Sequence, residues 1–175
     1  SKNQLATLRE IVKSNKKAID YIDNIIKERI DIENTIVGNL KYIPKGGLKG
    51  LLYYKISIAK SNDITFSIDV SKKITGVISR LSIEETKILC RLIGIFLDNA
   101  IEASKTSDKK QILCEFYLRQ KKLIITISNT FNGDIELERL NEYGYTTKGN
   151  GRGKGLYLAT KTVNKNKLFK LENKI

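Results

Sequence analysis

The sequence predicts an α+β sandwich preceded by a partial helical hairpin, and three observations carry that prediction. Apolar residues recur at helical spacing through residues 3–38. Beyond a break at 42–50, holding the single proline, Pro44, and Gly46, Gly47 and Gly50, helical and strictly alternating patterns succeed one another. Finally, the stretch GYTTKGNGRGKGLYL, residues 144–158, places five glycines and three basic residues ahead of a last helical run.

The elements follow in order. Leu5, Leu8 and Val12, then Ile19, Ile22, Ile26 and Ile30, form two apolar stripes, with Ser14-Asn15-Lys16 as the turn between antiparallel helices. Such a pair has too little core to stand alone, and a second copy would complete a four-helix bundle. After the 42–50 linker, LKGLLYYKISIAK (48–60) reads as an apolar helix. DITFSIDVS alternates Ile64, Phe66, Ile68 and Val70 against polar neighbours, a half-buried strand. Ser82 and Glu85 form an S-x-x-E capping box that opens a long helix to about Lys105. QILCEFYL and KLIITIS read as a hairpin, 129–152 as irregular, a helix is expected from about Gly153, and NKLFKLE as a final strand.

Composition narrows the chemistry. The chain has 175 residues, 41% hydrophobic and 29% charged, enough for one ordinary domain or a small domain with an appendage. No apolar run approaches the roughly 18 to 20 residues that span a bilayer, and no secretory signal is expected. Cys90 and Cys114 lie in apolar segments and are expected as buried free thiols of a reducing compartment. The net charge of +13 suits nucleic acid or an anionic membrane face, but the lysines are scattered, and a Lys-rich habit accounts for them equally well. Direct nucleic-acid binding is not expected. The chain has no histidine, which removes Ser-His-Asp and Cys-His nucleophiles and histidine metal sites from consideration. Any metal must take oxygen ligands, which suits Mg²⁺.

Three segments could carry chemistry. In FLDNAIEAS, Asp98, Asn99 and Glu102 are polar residues in an otherwise apolar helix; they either face solvent or coordinate something. Asn129 falls where the strand KLIITIS ends, where its amide can meet the edge of a base or simply serve a turn. Gly151, Gly153 and Gly155 alternate just before a helix, whose free N–H groups attract phosphate, with Lys148 and Arg152 beside them. Neither the Walker A loop nor the Rossmann fingerprint is present.

Taken together, FLDNAIEAS resembles the N box of the GHKL (Bergerat) ATP-binding α/β sandwich of gyrase, histidine kinases and MutL. GYTTKGNGRGKGLYL resembles the kinase ATP lid and G2 box. With LCRLIGIFLDNAIEAS and SNTFNGD, the chain is similar to Agr-type peptide-pheromone sensor histidine kinases. The resemblance implies ATP and Mg²⁺ as ligands, with Asn99 holding the metal and Asp98 and Glu102 near it or bonded through water. Asn129 would replace the aspartate that accepts the adenine amino hydrogen, a departure that implies weaker nucleotide binding. Thr146, Thr147, Lys148, Gly149, Gly151, Arg152, Gly153 and Gly155 would enclose the phosphates. Water-activating ATPases of this fold carry a glutamate one turn before the asparagine; here Ile95 stands there, leaving no carboxylate base for hydrolysis.

The resemblance further implies a dimerisation hairpin at 1–40, truncated before its acceptor histidine, and a catalytic ATP-binding domain at 45–175. SKNQL fits the tail of an H-D-x-x-N motif, which would put that histidine two residues before Ser1, so no catalytic acceptor is expected within the chain. The implied whole is a bacterial plasma-membrane protein of quorum-sensing type. Its cytoplasmic portion would form a homodimer through the N-terminal helices and pass phosphate to a response regulator, and an N-terminal domain outside this sequence would sit in the membrane. A GHKL serine kinase or ATPase, and a non-catalytic phosphotransferase or scaffold, are the alternatives.

Overall fold

The computed structural model describes residues 39–133 and 154–173. The expected hairpin at 3–38 and residues 134–152 of the irregular segment therefore lie outside the described residues. The described elements are helix α1 (Gly47–Lys60), strand β1 (Thr65–Val70), a 3-10 turn (Lys72–Ile74) running into the short helix α2 (Thr75–Ile78), helix α3 (Ile83–Lys105), strands β2 (Gln111–Arg119) and β3 (Lys122–Asn129), and helix α4 (Lys154–Asn164).

The strands form one sheet in the order β1-β2-β3, with β1 parallel to β2 and β2 antiparallel to β3. A parallel pair needs a crossover, and α2 and α3 supply it. β1 alternates exposed and buried along its length, so Phe66, Ile68 and Val70 point inward as their spacing predicts, with Ile64 buried just before them. Ile112, Cys114 and Phe116 of β2 lie on the same face. Leu89, Ile93, Leu97, Ala100 and Ile101 of α3 close that face, and α1 adds Leu48, Leu52, Tyr53 and Ile56. The helices thus cover one side of a mixed sheet, the α+β sandwich that the sequence predicts.

Local chemistry sets the ends of these elements. At the start of α3 the Glu85 amide donates to Ser82 Oγ at 3.2 Å, while the Ser82 amide donates to the Glu85 carboxylate at 2.7 Å. The Ser82 backbone bond holds the Glu85 carboxyl below its ordinary range, with the Ser82 side chain adding to the effect. The β2–β3 hairpin turns on Gln120 and Lys121, both left-handed (φ 50° and 63°). That matches the strand twist but costs each non-glycine residue roughly 1 kcal/mol. Gly46, which precedes α1 with φ 146° and ψ −167°, occupies a region open essentially to glycine alone. Both cysteines are free thiols; Cys114 is buried and pushed up to about 12, by desolvation first and by Glu115 second. Burial raises Cys90 as well.

Two expectations are revised. NKLFKLE forms no strand among the described residues. After α4, the Asn166 side-chain oxygen accepts from the Leu168 amide and the Asn166 carbonyl from the Phe169 amide, so the chain turns instead of extending. Phe169 and Leu171 then pack beside Leu92, Ala159 and Val163. The 42–50 segment, expected as a linker, is packed: Ile43 is 1% exposed, Leu40 just before it 0%, and from Gly47 the segment belongs to α1. Asn39 Nδ2 donates to the Ile68 carbonyl, and Thr75 Oγ1 to the Tyr42 carbonyl, each at 2.7 Å.

Candidate functional site

Helix α3 carries three faces because 23 residues at 3.6 per turn present different rows to different neighbours. One row meets the sheet. A second, Cys90, Gly94 and Asp98, runs beside Gly47, Leu51 and Lys55 of α1. A Cβ placed on Gly47 would sit 3.8 Å from Cys90 Sγ, one on Gly94 would sit 4.0 Å from the Leu51 methyls, and Lys55 Nζ lies 2.5 Å from Asp98 Oδ1. Steps of four on both helices make the two parallel and in register. The third row, with Leu92, Ile95 and Asn99, faces α4, where Leu92 is buried with Ala159 and Val163.

The α3–α4 seam holds the most unusual polar group. Asn99 Nδ2 is buried and has no hydrogen-bond partner among the described residues. An unsatisfied buried donor costs on the order of 1 to 3 kcal/mol, so folding alone does not account for it. Gly155, in the first turn of α4, is where the two helices come closest to that amide. A Cβ built there would lie 3.3 Å from Ile95 Cγ2 and 4.0 Å from both amide atoms of Asn99. The missing side chain lets the N-terminal end of α4, the end where a helix carries partial positive charge, approach the asparagine. A donor with nothing to bond, beside a helix N-terminus, fits a phosphate oxygen. The amide oxygen of the same side chain suits a hard cation such as Mg²⁺.

At the other end of this region Asn129 closes β3, as its position in the sequence predicts. Its Nδ2 donates to the Thr130 carbonyl at 3.0 Å, so the amide is oriented by the backbone next to it. Behind it lies a hydroxyl network that sequence reasoning missed. Ser104, 0% exposed, donates toward the Gln111 and Thr130 carbonyls at 3.2 and 3.3 Å. The buried Ser107 hydroxyl donates to the Ser104 carbonyl at 3.1 Å and lies 2.7 Å from Thr130 Oγ1. The Gln111 amide donates to that same Thr130 hydroxyl. The network ties the end of α3 to the end of β3. Asn99 lies five residues before Ser104, about 7.5 Å along the helix, which puts both asparagines at one end of the sandwich. The only sequence signal for this tie was hydroxyl residues where apolar spacing would place core side chains.

The remaining expected residues divide. Asp98 is turned to α1 and held by Lys55. Glu102 is half-buried on α3, one turn beyond Asp98. Ile95, half-buried, packs against the Leu92, Ala159 and Val163 cluster, so the turn before Asn99 presents a hydrocarbon. Thr146, Thr147, Lys148, Gly149, Gly151, Arg152 and Gly153 lie outside the described residues.

A sandwich whose long helix offers an asparagine to a glycine-opened helix N-terminus defines a class, and comparison with known families agrees. Residues 85–174 match the GHKL domain, more than half of the chain, and the chain belongs to that family. It is also similar to the sensor protein CitS of Bacillus subtilis (strain 168), 28% identical over 140 residues. That match covers 78% of this chain but 25% of the relative, so the chain spans about a quarter of the relative's length. Among the described residues no helix is long and apolar enough to cross a membrane.

Proposed function

We propose that this chain is the ATP-binding catalytic part of a two-component sensor histidine kinase, and that the site between α3 and α4 holds the nucleotide's phosphates. The observation that carries the reading is the unsatisfied Asn99 amide beside Gly155. Asn99 would donate Nδ2–H to a phosphate oxygen and offer Oδ1 to Mg²⁺. The cation, when bound, would offset phosphate charge and orient the γ-phosphoryl group. The α4 N-terminus, with Thr146, Thr147, Lys148, Gly149, Gly151, Arg152 and Gly153, would enclose the tail. Asn129 would accept from the adenine amino group: its Nδ2 is committed to the Thr130 carbonyl, which leaves Oδ1 as the available acceptor.

Ile95 decides between transfer and hydrolysis. No carboxylate stands one turn before Asn99 to activate water. The phosphoryl group is therefore kept for a protein side chain, a reaction that rests on positioning and electrostatics. The acceptor in this reading is a histidine outside this sequence, reached in a homodimer formed through the helices of 1–40, and the phosphoryl group then passes to an aspartate of a response regulator. The motif resemblance supports placing the kinase in the Agr-type, quorum-sensing group, anchored through a membrane domain outside this sequence.

Binding of a fluorescent ATP analogue, with and without Mg²⁺, tests the reading. Asn99→Ala should weaken binding in Mg²⁺ by roughly ten- to a hundredfold, the scale of one or two charge-assisted contacts. It should leave the unfolding midpoint of the apo protein unchanged or slightly raised, because an unsatisfied donor is removed. Unchanged affinity would overturn the site. Rapid release of ADP would favour an ATPase, and absence of binding at millimolar analogue a scaffold.

A further inference from the structure

Lys55 is the one lysine counted among the buried side chains of the described residues. It forms the third rung of the α1–α3 seam, whose first two rungs, Gly47–Cys90 and Leu51–Gly94, are neutral. The pair is lopsided: the lysine side chain is 9% exposed, whereas its partner Asp98 is 63% exposed. Sinking an ammonium costs several kcal/mol before pairing returns any of it, and an apolar residue would hold two helices together more cheaply. A seam alone does not explain a lysine there.

What lies beside the pair does. Asp98 directly precedes Asn99, whose amide nitrogen waits unbonded at the α3–α4 face. An uncompensated carboxylate next to that amide would repel a triphosphate, which carries several negative charges. Glu102, a second carboxylate, follows one turn along the same helix. We infer that Lys55 is a charge-compensating positioning residue of the phosphate site: its ammonium, at 2.5 Å from Oδ1, draws Asp98 to α1 and cancels its field, so that a polyanion can approach Asn99. Lys55 itself is no phosphate ligand; it is sunk between the helices, with the Tyr54 ring 5.4 Å away. Asp98, in turn, is not a nucleotide contact but the group being compensated. The inference deepens the nucleotide-binding reading and rests on it.

Titration of the protein with ATP and, separately, with adenosine tests it, since adenosine has the base but no charge. Lys55→Met should weaken ATP about tenfold, the scale of one uncompensated neighbouring charge, and leave adenosine unchanged. Asp98→Asn, which keeps the cation, should tighten ATP severalfold, again without effect on adenosine. The double variant Lys55→Met/Asp98→Asn, which buries no lone charge, should return to wild-type ATP affinity even if Lys55→Met alone folds poorly. These shifts should shrink in high salt. Equal losses of ATP and adenosine in Lys55→Met would make the pair a mere strut and overturn the inference, as would weaker ATP binding by Asp98→Asn. Wild-type protein that binds neither ligand would overturn the nucleotide reading and this inference together, a result distinct from normal wild-type binding with unresponsive variants.

Discussion

Helix α3 is held from two sides by seams of different make. Toward α1 it runs parallel and in register, rung on rung, above a continuous core that includes the fully buried Leu97 and Phe116. Toward α4 the contact is a small cluster around Leu92, Ala159 and Val163, closed at its upper end by Gly155 against Ile95. The first seam satisfies its charged rung internally, while the second leaves an amide nitrogen unsatisfied. The difference separates two jobs along one helix. Stability is concentrated where packing is deep, and the proposed ligand site falls where packing is thin and one polar group has no partner among the described residues.

Three tests sharpen or break that division. The largest effect is expected from Leu97→Ala on the deep side. The residue is fully buried, so truncation should cost about 3 to 4 kcal/mol in urea unfolding. A loss below about 1 kcal/mol would mean that the core is not organised around α3. On the thin side, Gly155→Val should lower affinity for an ATP analogue by about tenfold, while shifting stability by roughly 1 kcal/mol or less. The first added carbon already stands 3.3 Å from Ile95 Cγ2, so α4 must move away from Asn99. Adding Ile95→Ala should recover part of the affinity; no recovery would show that steric crowding at this seam is not the cause. Smallest, and far from either asparagine, Ser82→Ala should cost about 1 kcal/mol by removing the cap of α3, with nucleotide affinity untouched. A matching fall in affinity would show that the two jobs are not separable.

Features set by near neighbours could be read directly from the sequence. The capping box sits within four residues, the alternation of β1 within six, and the hairpin within two adjoining segments; all three appear where expected. The final strand misled because NKLFKLE is a short run of apolar residues among polar ones, whereas Asn166 bonds its own neighbours and turns the chain. The Lys55–Asp98 pair joins residues 43 apart, and Ser104 reaches Thr130 across 26, separations that no local pattern encodes. The closeness of Gly155 to Asn99 was expected only through family resemblance. Nothing in the spacing of either motif points to the other.

The entry to the sandwich has a practical corollary. Leu40 and Ile43 belong to the same buried cluster as the sheet, and Asn39 is stapled to β1 through the Ile68 carbonyl. An excised sandwich should therefore begin no later than Asn39: a chain opening at Lys45 would lose two buried side chains, Leu40 and Ile43. By the same token, any displacement of Asn39 would be felt directly at β1, through its hydrogen bond to the Ile68 carbonyl.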